Sequence, residues 1–268
     1  MEDSEASRLR AVLESTVRRM AAEHGGKTRY REPLFGYARA DDPRWQFLRD
    51  THVPGHLLPS EVLPGAQSVA CFFLPFEADL VRANAVATVC AAEWGTAYVE
   101  TNALLTLMCA ELERAFAREG VAASWQQPTH NYDPVSLRAR WSHKSAAVIA
   151  GMGEIGLHQM LITERGCAGR VSSIVVAADL ARGAAGRSRP SFCGYFAGAS
   201  CSACVERCPV GALTTDGLRR DACRDHLKVV GEYLVRHCSV PEPLDICGKC
   251  CTGPCALAPW GPAATPGS

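Results

Sequence analysis

Ten of the 14 cysteines fall between residues 193 and 255, and no other feature constrains the fold as strongly. In a reducing compartment such a density reads as metal ligation before it reads as disulfides. Cys201-x2-Cys204-x3-Cys208-Pro209 is the later part of the bacterial ferredoxin run, in which three cysteines bind one 4Fe-4S cube and the cysteine before proline binds a second. The usual first cysteine would stand at 198, which is Gly198, and Cys193 can supply that ligand from a longer loop. Downstream, Cys247-x2-Cys250 can aim two thiolates at one centre, with Cys255 five positions on. Two-cluster modules cross their ligands. The expected sets are therefore Cys193, Cys201, Cys204 and Cys255 for one cube, and Cys208, Cys223, Cys247 and Cys250 for the other. Cys238 and Cys251 are left over, and Cys251 competes with Cys250. Two four-thiolate zinc sites would use the same ligand count, but Cys208-Pro209-Val210-Gly211-Ala212 is a ferredoxin turn rather than a zinc-ribbon knuckle.

Cys71, Cys90, Cys109 and Cys167 are scattered, mostly among apolar neighbours as in Val69-Ala70-Cys71-Phe72-Phe73, and read as small buried hydrophobes. With 47% apolar and 21% charged residues, the 268-residue chain can bury a core in one large domain or two modest ones. Lys plus Arg equals Asp plus Glu at 28 each, so the whole chain carries no basic footprint for nucleic acid or acidic membranes. No stretch reaches the roughly 18 to 20 apolar residues of a membrane helix. The start, Met1-Glu2-Asp3-Ser4-Glu5, is acidic where a secretory signal is basic, which predicts a cytoplasmic protein.

Leu9, Val12, Leu13, Val17 and Met20 recur at helical spacing after Ser4, and Gly25-Gly26 ends the pattern. Residues 30 to 66, rich in Pro, Gly, Asp and Arg, read as irregular structure. Ser68 to Leu74 and Val171 to Ala177 read as buried strands, and Leu104, Leu105, Leu107, Met108, Leu112 and Phe116 as a long helix closed by Gly120. Strands alternating with long helices predict α/β layers through about residue 180. A small-residue, basic linker at 181 to 190 then puts boundaries at 1–183, 184–256 and a disordered tail at 257–268.

Arg140-Trp141-Ser142-His143-Lys144-x-Ala146-Ala147-x-x-Ala150-Gly151-Met152-Gly153-x-x-Gly156, followed by Leu161-Ile162-Thr163 and Gly166-Cys167-Ala168-Gly169-Arg170, resembles the core signature of the epoxyqueuosine reductase-like iron-sulfur proteins. The two cysteine runs, Tyr30 to Leu34 and Leu58-Pro59 extend the likeness over roughly residues 30 to 256, and the short members of the family match best. The resemblance implies a mixed α+β or α/β architecture, with a nitroreductase-like α/β layer domain followed by a ferredoxin-like double-cluster domain. It is similar to the core of corrinoid reductive dehalogenases, and implies a base-off cobalamin between the two parts. The implied activity is a reductase fed by a low-potential donor such as ferredoxin or flavodoxin and acting on a small molecule.

Two departures from the tRNA-modifying enzyme predict that tRNA is an unlikely partner. The chain ends just after its cysteines, where that enzyme carries a helical repeat region, and Leu137 stands at the spacing of its catalytic aspartate, with Asp133 the nearest acid. The neutral charge agrees. The alternatives are a cobalt-free reductase using flavin or the nearer cluster directly, and a non-enzymatic electron carrier or assembly partner.

Gly151-x-Gly153-x-x-Gly156 alone spells a dinucleotide fingerprint, but the preceding Ser145 to Ala150 is more helical than strand-like. These glycines are expected instead to let backbone approach a flat cofactor or a neighbouring helix, with Ser142 and Lys144 beside them. Reduction needs protons, and Tyr132 and His143, then Asp133 and His130, are the expected donors. The competing reading makes Asp133-Pro134 a helix cap and His143 a hydrogen-bonded core residue.

Overall fold

The computed structural model describes residues 2–129, 131–183, 191–238, 240 and 244–261, so the proton-donor candidate His130 and linker residues 184–190 lie outside the described residues. Helix α1 (Glu2–Glu23) buries Leu9, Leu13 and Val17 along one stripe, as the spacing predicts. Strand β1 (Leu34–Arg39) follows, then short helices α2 (Pro43–Phe47) and α3 (Pro59–Val62). Residues 34–39 were expected to be irregular. They form an edge strand because β2 (Ser68–Pro75) supplies a full antiparallel partner, Leu34 opposite Phe73 through Arg39 opposite Ser68.

Every residue of β2 is buried, since helices cover both sheet faces. Helices α4 (Ala78–Val86) and α5 (Ala92–Arg118) come next, and α5 starts a dozen residues before the expected apolar run. After β3 (Ala123–Trp125), helix α6 (His143–Ile149) leads into the hairpin β4 (Gly153–Ile155) and β5 (Leu161–Thr163), then β6 (Gly169–Val176). The main sheet runs β1-β2-β6-β3 and is antiparallel throughout, so its mixed α/β layering lacks the parallel crossovers of a doubly wound fold.

Packed on one sheet face are α1 and α5, whose Leu13, Leu105, Met108 and Leu112 are fully buried. Each such side chain contributes roughly 1.5–3 kcal/mol through burial. On the other face lie Trp45, Trp141 and α6. The cysteine-rich segment holds α7 (Ala203–Glu206), the small hairpin β7 (Leu213–Thr214) and β8 (Gly217–Leu218), and α8 (Arg220–His237). Its Val230, Leu234, Leu244 and Ile246 share one apolar cluster with Phe76, Val81, Trp94 and Ile162 of the preceding layers.

Two cations tie the segments together. Arg31 donates to the carbonyls of Phe76, Leu257 and Arg165, and the buried ammonium of Lys249 donates to those of Asn84 and Ala87 at the end of α4. Residues 257–261, expected to belong to an unfolded tail, are anchored here: Leu257 accepts from Arg31, and Trp260 N donates to Phe192 O at 2.8 Å. Residues 262–268 lie outside the described set. No described helix is long and apolar enough to cross a membrane.

Candidate metal centre

Cys193, Cys201, Cys204 and Cys255, the four ligands expected for the first cluster, line one cavity together with His158 and Trp260. Their positions come from separate elements. Cys201 precedes α7 and Cys204 lies within it. Cys193 is fixed by Glu154 of β4, whose Oε1 accepts the Cys193 N–H at 2.7 Å and the Ser191 hydroxyl at 2.6 Å. Cys255 is held by the turn between β5 and β6, because Cys167 N donates to Cys255 O and Ala168 N to Ala256 O, both at 2.9 Å.

Thiols of the second expected set act on one another electrostatically. Burial first, then the nearby thiols of Cys250, Cys247 and Cys208, push Cys223 up to about 11. Burial and the neighbouring Cys255, Cys250 and Cys193 push Cys204 up to about 12. Crowded thiols like these resist ionising until a cation compensates them, which is the chemistry of a thiolate metal site. Gly248 makes the Cys247-x2-Cys250 turn possible: its φ is 73°, and a Cβ there would lie 2.3 Å from Trp94 Nε1. The adjacent sulfurs of Cys250 and Cys251 lie 4.0 Å apart, and both thiols are pushed well above the ordinary range, Cys250 first by its contact with Cys251 and Cys251 first by its contact with Cys167.

Cys71, Cys90, Cys109 and Cys167 are all buried, and burial is the main cause that raises Cys71, Cys90 and Cys109. Cys167 is more than a small hydrophobe. Its Sγ lies 3.9 Å from Cys255 Sγ, and His158 Nε2 lies 3.3 Å from the same sulfur. The Cys167 contact, then the His158 hydrogen bond, hold Cys255 below the ordinary thiol range against its burial. Sequence separations of 88 and 97 residues left no local signal for either neighbour.

The signature around Trp141 is spent on internal contacts. Trp141 Nε1 donates to Ser173 Oγ at 2.9 Å, and that hydroxyl donates in turn to His143 Nδ1 at 2.8 Å, leaving Nε2–H to donate to Gln127 O at 3.1 Å. His143 is buried, and desolvation lowers it to about 4, so the ring is neutral and both nitrogens are occupied. Ser142 caps α6 by accepting from Ser145 N. Lys144 Nζ donates to the carbonyl of Gln159, a residue at φ 64° in the β4–β5 turn.

At Gly153 a Cβ would lie 1.9 Å from Ile162 O, and at Gly156 it would lie 2.6 Å from Ile162 Cδ1. These two glycines therefore admit β5 rather than a flat cofactor, and Gly151, at φ 73°, closes α6. Ser142, Lys144 and the three glycines do not fit as a cradle for cobalamin or flavin. Asp133 accepts from the N–H groups of Val135 and Ser136 in a turn, with no helix after it, and Tyr132 pairs with Ala139 at 42% exposure. The structure brings neither to the cysteine cavity.

No protein-family model matches the sequence, and no curated protein matches it by sequence. Solved structures do match. A Bacillus subtilis epoxyqueuosine reductase aligns at TM-score 0.59 and 17% identity, over 94% of this chain and 66% of its own. A selenomethionine-labelled epoxyqueuosine reductase aligns at TM-score 0.58 and 14% identity, over the same shares.

The chain has the epoxyqueuosine reductase fold. It spans a little under two thirds of those enzymes, at 66% of their length. A third epoxyqueuosine reductase aligns at TM-score 0.55 and 16% identity, over 83% of this chain and 58% of its own, and is bound to an epoxyqueuosine-modified tRNA-Tyr stem loop. That complex overturns the expectation that tRNA is an unlikely partner, since a protein of the epoxyqueuosine reductase fold holds it. Catabolic reductive dehalogenases align too loosely to bear on function, at TM-score 0.49 and 11% identity for one of them.

Proposed function

We propose that the chain is an iron-sulfur oxidoreductase of epoxyqueuosine reductase type, carrying low-potential electrons through two 4Fe-4S clusters toward the sheet layer. Residues 1–183 form its nitroreductase-like part and residues 184–256 its ferredoxin-like part. Cys193, Cys201, Cys204 and Cys255 hold one cluster, and Cys208, Cys223, Cys247 and Cys250 hold the other. When bound, the clusters supply one-electron transfer at low potential. The observation that carries this reading is the cavity lined by four cysteines from three separate stretches, roofed by His158 of the β4–β5 turn.

The protein's own contribution is to fix the sulfurs. Glu154 holds the Cys193 loop, the β5–β6 turn holds Cys255, and Lys249 docks the last cysteine run on α4. No step is assigned to cobalamin or flavin, because the residues expected to cradle them are occupied by β5 and by helix capping.

Metal analysis of anaerobically purified protein tests the proposal. The expected result is about eight irons per chain with a paramagnetic signal after dithionite, falling to about four irons in Cys201→Ala. Stoichiometric zinc, or no signal on reduction, refutes it.

A further inference from the structure

We propose that His158 and Cys167 donate hydrogen bonds to the Cys255 sulfur and thereby raise the reduction potential of the cluster that this sulfur holds. The inference rests on the cluster assignment above and deepens it. His158 is 3% exposed, and its Nδ1 accepts the Met160 N–H at 3.1 Å. A backbone amide can only donate, so in the neutral ring the proton sits on Nε2. That nitrogen faces Cys255 Sγ at 3.3 Å. His158 therefore lines the cavity as a donor to a ligand and not as a ligand itself.

Cys167 reaches the same sulfur from the neighbouring turn. Its Sγ lies 3.9 Å from Cys255 Sγ and 3.9 Å from the Cys251 carbonyl. An iron-bound thiolate has no proton to give, so in this pair the S–H belongs to Cys167. That one proton has two acceptors at the same distance, the Cys251 carbonyl and the Cys255 sulfur, and the negative charge of the ligated sulfur draws it to Cys255. The donor is held in place by backbone, since Cys167 N and Ala168 N bond to the carbonyls of Cys255 and Ala256. Both donors thus approach Cys255 from the β4–β6 segment, and their geometry does not depend on a long, mobile side chain. Reduction adds negative charge to a cluster and its sulfurs. Donors aimed at a ligating sulfur favour the reduced state, which raises the potential.

The test is an EPR-monitored redox titration of the anaerobic holoprotein with iron counted in each sample. In His158→Leu and in Cys167→Ala the iron stays at about eight per chain. One cluster becomes harder to reduce, with about a tenfold lower reduced-to-oxidised ratio at a fixed potential, or ~59 mV for one electron. The other cluster is unchanged. His158→Gln and Cys167→Ser, which keep a donor, recover most of that ratio. Full iron with unmoved potentials overturns the inference, as does loss of about half the iron in Cys167→Ala, which would make Cys167 a ligand. In the wild-type protein, electron-nuclear double resonance of the reduced cluster shows exchangeable protons that vanish in D2O; their absence also overturns it. Zinc or no iron in the wild-type protein fails the cluster reading instead, before any variant is compared.

Discussion

Glu154 Oε1 accepts the backbone N–H of Cys193 at 2.7 Å, linking a strand of the central layers to the first cysteine of the late segment across 39 residues. A hydrogen bond to a charged acceptor contributes about 1.5–3 kcal/mol. Glu154→Ala is expected to free the Cys193 loop and to speed iron release to a chelator about tenfold, the factor that ~1.4 kcal/mol brings. Glu154→Gln keeps one acceptor oxygen and should fall between. Release rates equal to wild type in both variants would remove Glu154 from the metal centre.

Gly153 meets β5 so closely that a Cβ would sit 1.9 Å from Ile162 O, a backbone atom that cannot swing aside. Gly153→Ala is expected to cost about 1–3 kcal/mol in urea unfolding with no cofactor added. Gly25→Ala, where nothing lies within 4 Å, should stay within about 0.5 kcal/mol. If Gly153→Ala left stability intact and weakened only the binding of an added corrinoid, the glycine would belong to a ligand site after all.

His143 is held down to about 4 by burial, so the folded ring stays neutral while the unfolded ring takes up a proton near 6.5. The stability this gives is complete above about pH 6.5 and is lost as the pH falls toward 4, on the order of 3 kcal/mol across that window. Between pH 7.5 and 5 the wild-type protein should lose about 2 kcal/mol more than His143→Gln, read from denaturant midpoints at each pH. Equal losses would mean that the ring titrates normally. A histidine that supplied protons to a substrate would need a pKa nearer neutrality and a free nitrogen, and His143 has neither.

The sequence alone was enough to single out the late cysteines as metal-ligand candidates, because cysteine spacing within a turn is a local property. Cys201-x2-Cys204 and Cys247-x2-Cys250 can be read without a fold, and Cys201 and Cys204 line one cavity with Cys193 and Cys255. Apolar stripes were equally local, so α1 and the strands around Cys71 and Ile174 were legible. The partners of those elements were not. Strand β1 looks irregular until β2 pairs with it, and Asp133-Pro134 looks like a helix cap until the turn at 134–136 ends without a helix.

Tertiary structure decided which polar residues face the cavity. Trp141, Ser142, His143 and Lys144 stood together as a signature yet are consumed by Ser173, α6, Gln127 and Gln159, whereas Glu154, His158 and Cys167 carried no spacing signal and surround the cysteines. The reason is physical. A thiolate pair three residues apart is aimed by one turn of backbone, but a donor 88 or 97 residues away reaches a sulfur only after the sheet, its hairpin and the late segment have packed into one core.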